Sequence, residues 1–135
     1  IIREEKGYTY GIGSYNVTMP QAAHWMIATD VNTEATDATI TECIKEIRRL
    51  QEEPVPEEEL SLVKSYFNGE LLRELDGVFS QSDALKHKLN YGLDNTFYLR
   101  AIDKIRTCTA EDIMRLAQKY LNVDDMYIVT AGKDA

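Results

Sequence analysis

The sequence predicts an α+β fold, in which an antiparallel sheet has helices layered on one face. Two strand-like segments stand near the start, about five helical patterns follow them, and one more strand-like segment stands at the end. Strands and helices therefore do not alternate along the chain. The 135 residues fit one domain, residues 1–135, which is large enough to bury a core.

The first two strands are predicted to form a hairpin. Residues 4–7 have the composition of a helix end, with a glycine that suits the left-handed capping conformation. Residues 8–18 form the first predicted strand, in which Gly11 and Gly13 leave gaps where another backbone or a helix could approach closely. Residues 22–31 form the second strand, joined to the first by a short turn. Its better core face is formed by Ala23, Trp25, Ile27, Thr29 and Val31.

The helical part shows apolar residues at helical spacing and recognisable end signals. Helices are predicted over residues 33–53, 56–75, 80–92, about 95–106, and from 109 onward. Ser80 with Asp83 and Thr109 with Asp112 resemble capping boxes. The residues expected to face inward are Ile40, Ile44, Ile47, Leu50, Leu60, Val63, Phe67, Leu71, Ala84, Leu85, Leu89, Leu99, Ile102, Ile105, Ile113, Leu116, Ala117 and Tyr120.

Residues 126–131 are predicted to form the last strand. Three strands make a thin sheet, so we expect at least one more strand upstream of residue 1 in the native domain. The edge that this missing front portion would leave open could pair with a second copy of the chain.

Composition excludes several classes of function. The net charge of −8 makes nucleic-acid binding improbable, and the sequence contains no apolar run long enough to span a membrane. The composition is that of a soluble globular protein, and it leaves a cytoplasmic or a periplasmic location open. Cys43 and Cys108 could be buried small apolar groups or a single disulfide.

No catalytic motif is complete in the sequence. A zinc peptidase needs two histidines one helical turn apart with a glutamate beside them, whereas His24 and His87 stand far apart. The Gly11–Gly13 pair lacks the third glycine of a dinucleotide fingerprint. The acidic run of residues 57–59 is explained by the positive pole of a helix, although its spacing alone leaves paired catalytic acids open. We therefore expect no catalytic residue and no metal ligand in this chain.

Arg3 and Tyr10 are the candidate binding residues, because they flank a predicted helix-to-strand corner. A guanidinium holds a peptide carbonyl or carboxylate, and a tyrosine hydroxyl donates a hydrogen bond to a carbonyl under attack. A helix-to-strand corner could aim both groups at one ligand. The ordinary alternative is that Arg3 complements a helix terminus and Tyr10 is an aromatic residue on a strand.

Segments across nearly the whole chain resemble the C-terminal domain of the pitrilysin/insulinase family of zinc metallopeptidases. These segments are Ile2-Arg3-Glu4-Glu5-Lys6-Gly7-Tyr8-Thr9-Tyr10, Thr29-Asp30-Val31-Asn32-Thr33-Glu34, Gly69-Glu70-Leu71-Leu72-Arg73, Thr109-Ala110-Glu111-Asp112-Ile113 and Tyr127-Ile128-Val129-Thr130-Ala131-Gly132.

The resemblance implies a substrate-binding role without catalysis by this chain alone. In that family two similar α+β domains face each other across a chamber, and the N-terminal domain carries the inverted zinc motif. The C-terminal domain contributes an arginine and a tyrosine that contact the bound peptide, and Arg3 and Tyr10 fall on those positions. Zinc would come from an N-terminal domain or a companion chain. The resemblance implies that the catalytic domain and the front of the C-terminal domain lie outside these residues.

Two further functions stay open at this stage. Some members of the family keep the fold as structural or partner subunits without catalysis. The chain could also be a module that binds extended peptides along an exposed sheet edge without cleaving them.

Overall fold

A computed structural model of the chain describes residues 7–74 and 76–132, and these residues have the predicted α+β fold. The elements in these ranges are β1 (Ile12–Met19), β2 (Ala22–Thr29), α1 (Thr36–Glu52), α2 (Glu57–Glu74), α3 (Val78–Tyr91), α4 (Phe97–Thr107) and α5 (Ala110–Tyr120). They fall into two compact units. The first unit contains residues up to 53 together with those from 116, and the second contains residues 54–115.

The hairpin of the first unit confirms the predicted antiparallel pairing. β1 pairs with β2 in a register that runs from Ile12 opposite Thr29 to Met19 opposite Ala22. Residues 20 and 21 form the turn. The alternation expected for β2 is present from Trp25 onward, because Trp25, Ile27 and Thr29 are partly covered while their even-numbered neighbours are exposed. Val31, just after the strand, is partly covered too, but Ala23 is exposed and its predicted place on the core face is wrong. β1 is shorter than predicted and begins at residue 12 rather than residue 8.

Side-chain amides connect α1 to the end of α5 within the first unit. Gln51 Nε2 donates to the carbonyl oxygen of Leu121 at 2.7 Å, and Gln118 Nε2 donates to the carbonyl oxygen of Gln51 at 2.7 Å. Ile47 of α1 and Ala117 of α5 are both buried, as their periodicity predicts. Before α1, residues 33–35 form a 3-10 turn, so the predicted helix over 33–53 begins with a tighter segment.

The second unit gathers α3 and α4 against α2, but much of its predicted core is exposed. Leu60 is buried, whereas other residues expected inside are not. The exposed ones in this unit are Val63, Phe67, Leu85, Leu89 and Leu99. The physical reason lies in α2, whose apolar residues also include the exposed Leu62, Tyr66 and Leu72 and so spread around the helix instead of forming one stripe. In the first unit, Leu116 and Tyr120 of α5 are likewise exposed.

The predicted end of α3 is confirmed, whereas the capping box predicted at its start is wrong. Gly92 ends α3 in the left-handed conformation, with its N–H and that of Leu93 donating back to Leu89 and Lys88. The Ser80–Asp83 box is wrong as a helix start, because α3 begins at residue 78. Gly77, with φ of +86°, turns the chain into the helix before Ser80 is reached.

The predicted strand over residues 126–131 is also wrong. Residues 123–125 form a 3-10 turn, and in the part of the chain that the structure describes the following segment pairs with no strand. Tyr127 in this segment is 98% exposed, and Val129 is exposed as well. A strand is stable only when a neighbour supplies hydrogen bonds to its backbone, so strand propensity alone does not make one.

The Thr109–Asp112 box at the start of α5 is confirmed. The N–H of Asp112 donates to Thr109 Oγ1 at 3.2 Å, and the N–H of Thr109 donates to Asp112 Oδ2 at 3.2 Å. Two donors that a helix start leaves without a partner are thereby satisfied.

Replacing the capping hydroxyl should destabilise the protein. We expect Thr109→Ala to lower the free energy of unfolding by about 1 kcal/mol in urea titrations, as for other helix caps. Thr107→Ala is the matched control, since Thr107 is exposed and its Oγ1 donates to the carbonyl oxygen of Asp103 one turn earlier in the same helix. Equal unfolding midpoints for the two variants would contradict the assignment of the cap.

A second polar cluster forms where α4 begins. Asp94 Oδ1 accepts hydrogen bonds from the N–H and Oγ1 of Thr96, both at 2.7 Å, and Arg100 Nη1 donates to Asp94 Oδ2 at 2.9 Å. The hydrogen bond from the Thr96 hydroxyl, with those from Arg100 and the Thr96 backbone, lowers the pKa of Asp94 to about 2. The charged carboxylate is therefore favoured in the folded state.

This shift gives a pH dependence of known sign. A lowered folded-state pKa contributes stability above the ordinary carboxyl value of 3.8 and loses it as the pH falls towards about 2. We expect the stability difference between the wild type and Asp94→Asn to shrink across that window in urea unfolding at several pH values. A difference that stays constant there would contradict the role of the charge.

Candidate functional site

Tyr10 lies just before β1, at the open end of the hairpin, and its side chain is 99% exposed. Gly7 precedes it with φ of +64°, in the left-handed conformation that the sequence predicts for a helix cap. Arg3 lies outside the described residues. The predicted pairing of Arg3 with Tyr10 on one ligand therefore stays a prediction.

Thr9, the residue before Tyr10, is the centre of a hydrogen-bonded cluster that closes the hairpin base. Thr9 is 8% exposed, and its Oγ1 lies 2.7 Å from the carbonyl oxygen of Asp30 and 2.9 Å from that of Gly11. The N–H of Gly11 donates to Thr9 Oγ1 at 3.1 Å. Thr29 Oγ1 lies 3.0 Å from both Thr9 Oγ1 and the Gly11 carbonyl oxygen. We call Thr9, Gly11, Thr29 and Asp30 the hairpin clasp.

Sequence reasoning did not single out the hairpin clasp. Threonine is common in strands, so Thr9 and Thr29 give no signal beyond strand propensity. The one available signal was their position: Thr9 stands directly before the candidate tyrosine, and Thr29 is on the better core face of β2. Hydroxyl groups on both chain segments at the base of a hairpin can hydrogen-bond the backbone groups that the strand ladder no longer pairs.

The gap predicted at Gly13 is filled by the chain itself. A Cβ on Gly13 would come within 2.5 Å of the Tyr15 hydroxyl oxygen and 2.7 Å of the ring carbon that carries it. The ring of Tyr15 therefore lies along β1 over Gly13, and the space that we expected another backbone or a helix to use holds this ring. At Gly11 a Cβ would meet no atom of the described residues within 4 Å, apart from its chain neighbours.

The described residues contain no candidate metal-binding site. No group of three histidine, cysteine, aspartate or glutamate side chains in residues 7–74 and 76–132 could hold one. His24 is exposed on β2 opposite Val17. His87 belongs to α3, where its ring centre lies 4.7 Å from that of Tyr91 and 6.3 Å from that of Phe97. The resemblance places the zinc in another domain or a companion chain, and the described residues contain no cluster that could hold it.

The acidic run and the two cysteines are the remaining groups that the sequence singled out. Residues 57–59 occupy the first turn of α2, where the positive pole of the helix favours their charges. Cys43 and Cys108 are both free, so the alternative of a disulfide is wrong, and burial raises the pKa of the Cys43 thiol.

Among the helices that the structure describes, none has the length and apolar character needed to cross a membrane.

A comparison with protein families finds a match for the first part of the chain. Residues 1–67 match the family model described as the Peptidase M16 inactive domain. The match covers just under half of the chain, so it shows what these residues are similar to. The match covers Arg3, Tyr10, the hairpin, α1 and the start of α2. No curated protein matches the chain.

The M16 match supports the broader part of the resemblance seen in the sequence. It indicates the C-terminal, inactive domain of this peptidase family, and it does not identify a particular member. An inactive domain implies a catalytic domain as its partner. The match agrees with the finding that the described residues contain no metal-binding group.

The arrangement of Tyr15 over Gly13 can be tested by adding one methyl group. We expect Gly13→Ala to displace the half-exposed Tyr15 ring into solvent, because the new Cβ and the ring cannot occupy the same space. The readout is the set of Tyr15 ring resonances in NMR spectra. Gly11→Ala is the control and should leave them in place, since apart from its chain neighbours no described residue comes within 4 Å of the added Cβ. Unchanged Tyr15 resonances in Gly13→Ala would show that the ring lies elsewhere.

Proposed function

We propose that this chain is the non-catalytic, substrate-binding domain of a zinc-dependent endopeptidase, with Arg3 and Tyr10 contacting the bound peptide. The observation that carries the proposal is the match of residues 1–67 to the inactive domain of a peptidase family, since both candidate residues lie within it. The exposure of Tyr10 at the open end of the hairpin supports it, because a residue that contacts a peptide must reach solvent.

Tyr10 is suited to polarise a peptide carbonyl. Its phenol is an O–H donor, and a donor held near a carbonyl under attack stabilises the negative charge that develops on the oxygen. In our proposal Arg3 anchors the peptide by its guanidinium, which presents several donors in a fixed plane and keeps its charge. Neither group forms a covalent bond to the substrate in this proposal, so both act by orientation and electrostatics.

Zinc and the group that activates water belong to the partner in this proposal. The described residues hold no metal-binding group, so the ion would be bound by a catalytic domain or a companion chain. The chain's own contribution is a polar surface at the base of the hairpin, next to a backbone whose position is fixed by hydrogen bonds.

The test is kinetic and uses the zinc-loaded assembly that contains this chain. We expect Tyr10→Phe to lower kcat about 10²-fold, the typical effect of losing one donor to a developing oxyanion. Turnover of an internally quenched peptide is the measurement. Tyr127→Phe is the matched control: Tyr127 is equally exposed but lies in the segment after α5, so its hydroxyl should not matter.

The same variants separate the proposal from its alternatives. Equal kcat for the wild type and Tyr10→Phe would remove the proposed role and favour a structural or partner subunit. A peptide-binding module would instead show peptide binding that survives the combined Arg3→Ala and Tyr10→Phe change, with no turnover by the assembly.

A further inference from the structure

The hairpin clasp restrains the backbone on both sides of Tyr10. The preceding residue is held through its side chain, since Thr9 Oγ1 lies 2.7 Å from the carbonyl oxygen of Asp30, the residue after β2. The following residue is held through its backbone, since the N–H of Gly11 donates to the same hydroxyl oxygen at 3.1 Å. Tyr10 therefore sits between two fixed points although its own side chain is almost fully exposed.

The number of hydrogens limits how the hairpin clasp is bonded. Each threonine hydroxyl carries one hydrogen, so only two of the four close oxygen–oxygen approaches are donations at any moment. The shortest, from Thr9 to the Asp30 carbonyl at 2.7 Å, leaves Thr29 to donate to the Gly11 carbonyl or to Thr9, each at 3.0 Å. With Thr9 donating to Asp30 and accepting from Gly11, one buried hydroxyl links three positions of the chain.

This linkage has no substitute in the ladder of β1 and β2. The register of the hairpin ends with Ile12 opposite Thr29, so Thr9, Tyr10 and Gly11 lie beyond the last pair. A segment beyond the ladder is free to move unless side chains supply its hydrogen bonds. In the described residues the hydroxyls of Thr9 and Thr29 supply them.

We propose that Thr9 is a positioning residue for Tyr10: its hydroxyl fixes the backbone that aims the Tyr10 phenol at the peptide. The inference rests on the proposed function, because it assigns Thr9 a purpose only if Tyr10 contacts substrate. Thr9 itself is buried, so in this proposal it acts on the peptide only through Tyr10. Its effect is felt through the orientation of its neighbour.

The first experiment measures the hairpin clasp on the chain itself. Thr9→Val keeps the shape of the side chain and removes the hydroxyl, whereas Thr9→Ser keeps the hydroxyl. We expect the Gly11 amide to exchange its hydrogen roughly tenfold faster in Thr9→Val, since the N–H loses its acceptor, and to stay near the wild-type rate in Thr9→Ser. Equal exchange rates in all three proteins would overturn the proposal at this step.

The second experiment measures peptide turnover by the zinc-loaded assembly. We expect Thr9→Val to lower kcat about tenfold, with KM nearly unchanged and with Thr9→Ser restoring the rate, as for a misaimed catalytic contact. In the Tyr10→Phe background the same Thr9→Val change should have little further effect, since the hydroxyl that it aims is already gone. A merely structural role for Thr9 would instead lower turnover equally in both backgrounds.

The outcomes distinguish this inference from the function on which it rests. If Tyr10→Phe lowers kcat and Thr9→Val does not, Tyr10 keeps its role and the positioning role of Thr9 is refuted. If Tyr10→Phe leaves kcat unchanged, the proposed function fails and the positioning role fails with it, while the exchange rate of Gly11 still reports whether the hairpin clasp exists.

Discussion

The geometry of the proposed binding surface depends on the hydrogen bonds that the Thr9 hydroxyl makes with the backbone of Asp30 and Gly11. Where the ladder between β1 and β2 stops, the backbone of Gly11 and Asp30 still presents polar groups that need partners. A threonine satisfies them with one uncharged oxygen that both donates and accepts. Burying a charged group at the same place would require its own partner and a larger desolvation penalty.

Local signals predicted much of the fold, because they depend on residues close in sequence. The hairpin follows from two strand-like segments and a short turn, and the ends at Gly92 and Thr109 follow from the chemistry of glycine and of a capping hydroxyl. The strand over residues 126–131 failed because it needed a partner elsewhere in the chain. The prediction of the core of the second unit failed because α2 distributes its apolar residues over several faces.

The site was predictable only in part, for a related reason. Tyr10 was singled out by its place at a predicted helix-to-strand corner and then by the family resemblance, and its exposure is compatible with that prediction. Thr9 was not found, because its importance comes from a carbonyl group of Asp30 that is distant in sequence and carries no side-chain signature. Gly13 was noticed but misinterpreted, since the ring that covers it comes from Tyr15 on the same strand.

Thr9 is buried and the adjacent Tyr10 is exposed. This pairing is how, in our proposal, a non-catalytic domain aids a reaction. Holding a side chain in one orientation before the substrate arrives reduces the conformational entropy lost on binding. Tyrosine suits this purpose, because its side chain has only two main torsions and keeps a polar tip on a rigid ring. With the backbone of Tyr10 fixed by Thr9, those two torsions are the main freedom left to the phenol. Preorganisation of this kind needs no charge and no metal from the domain that provides it.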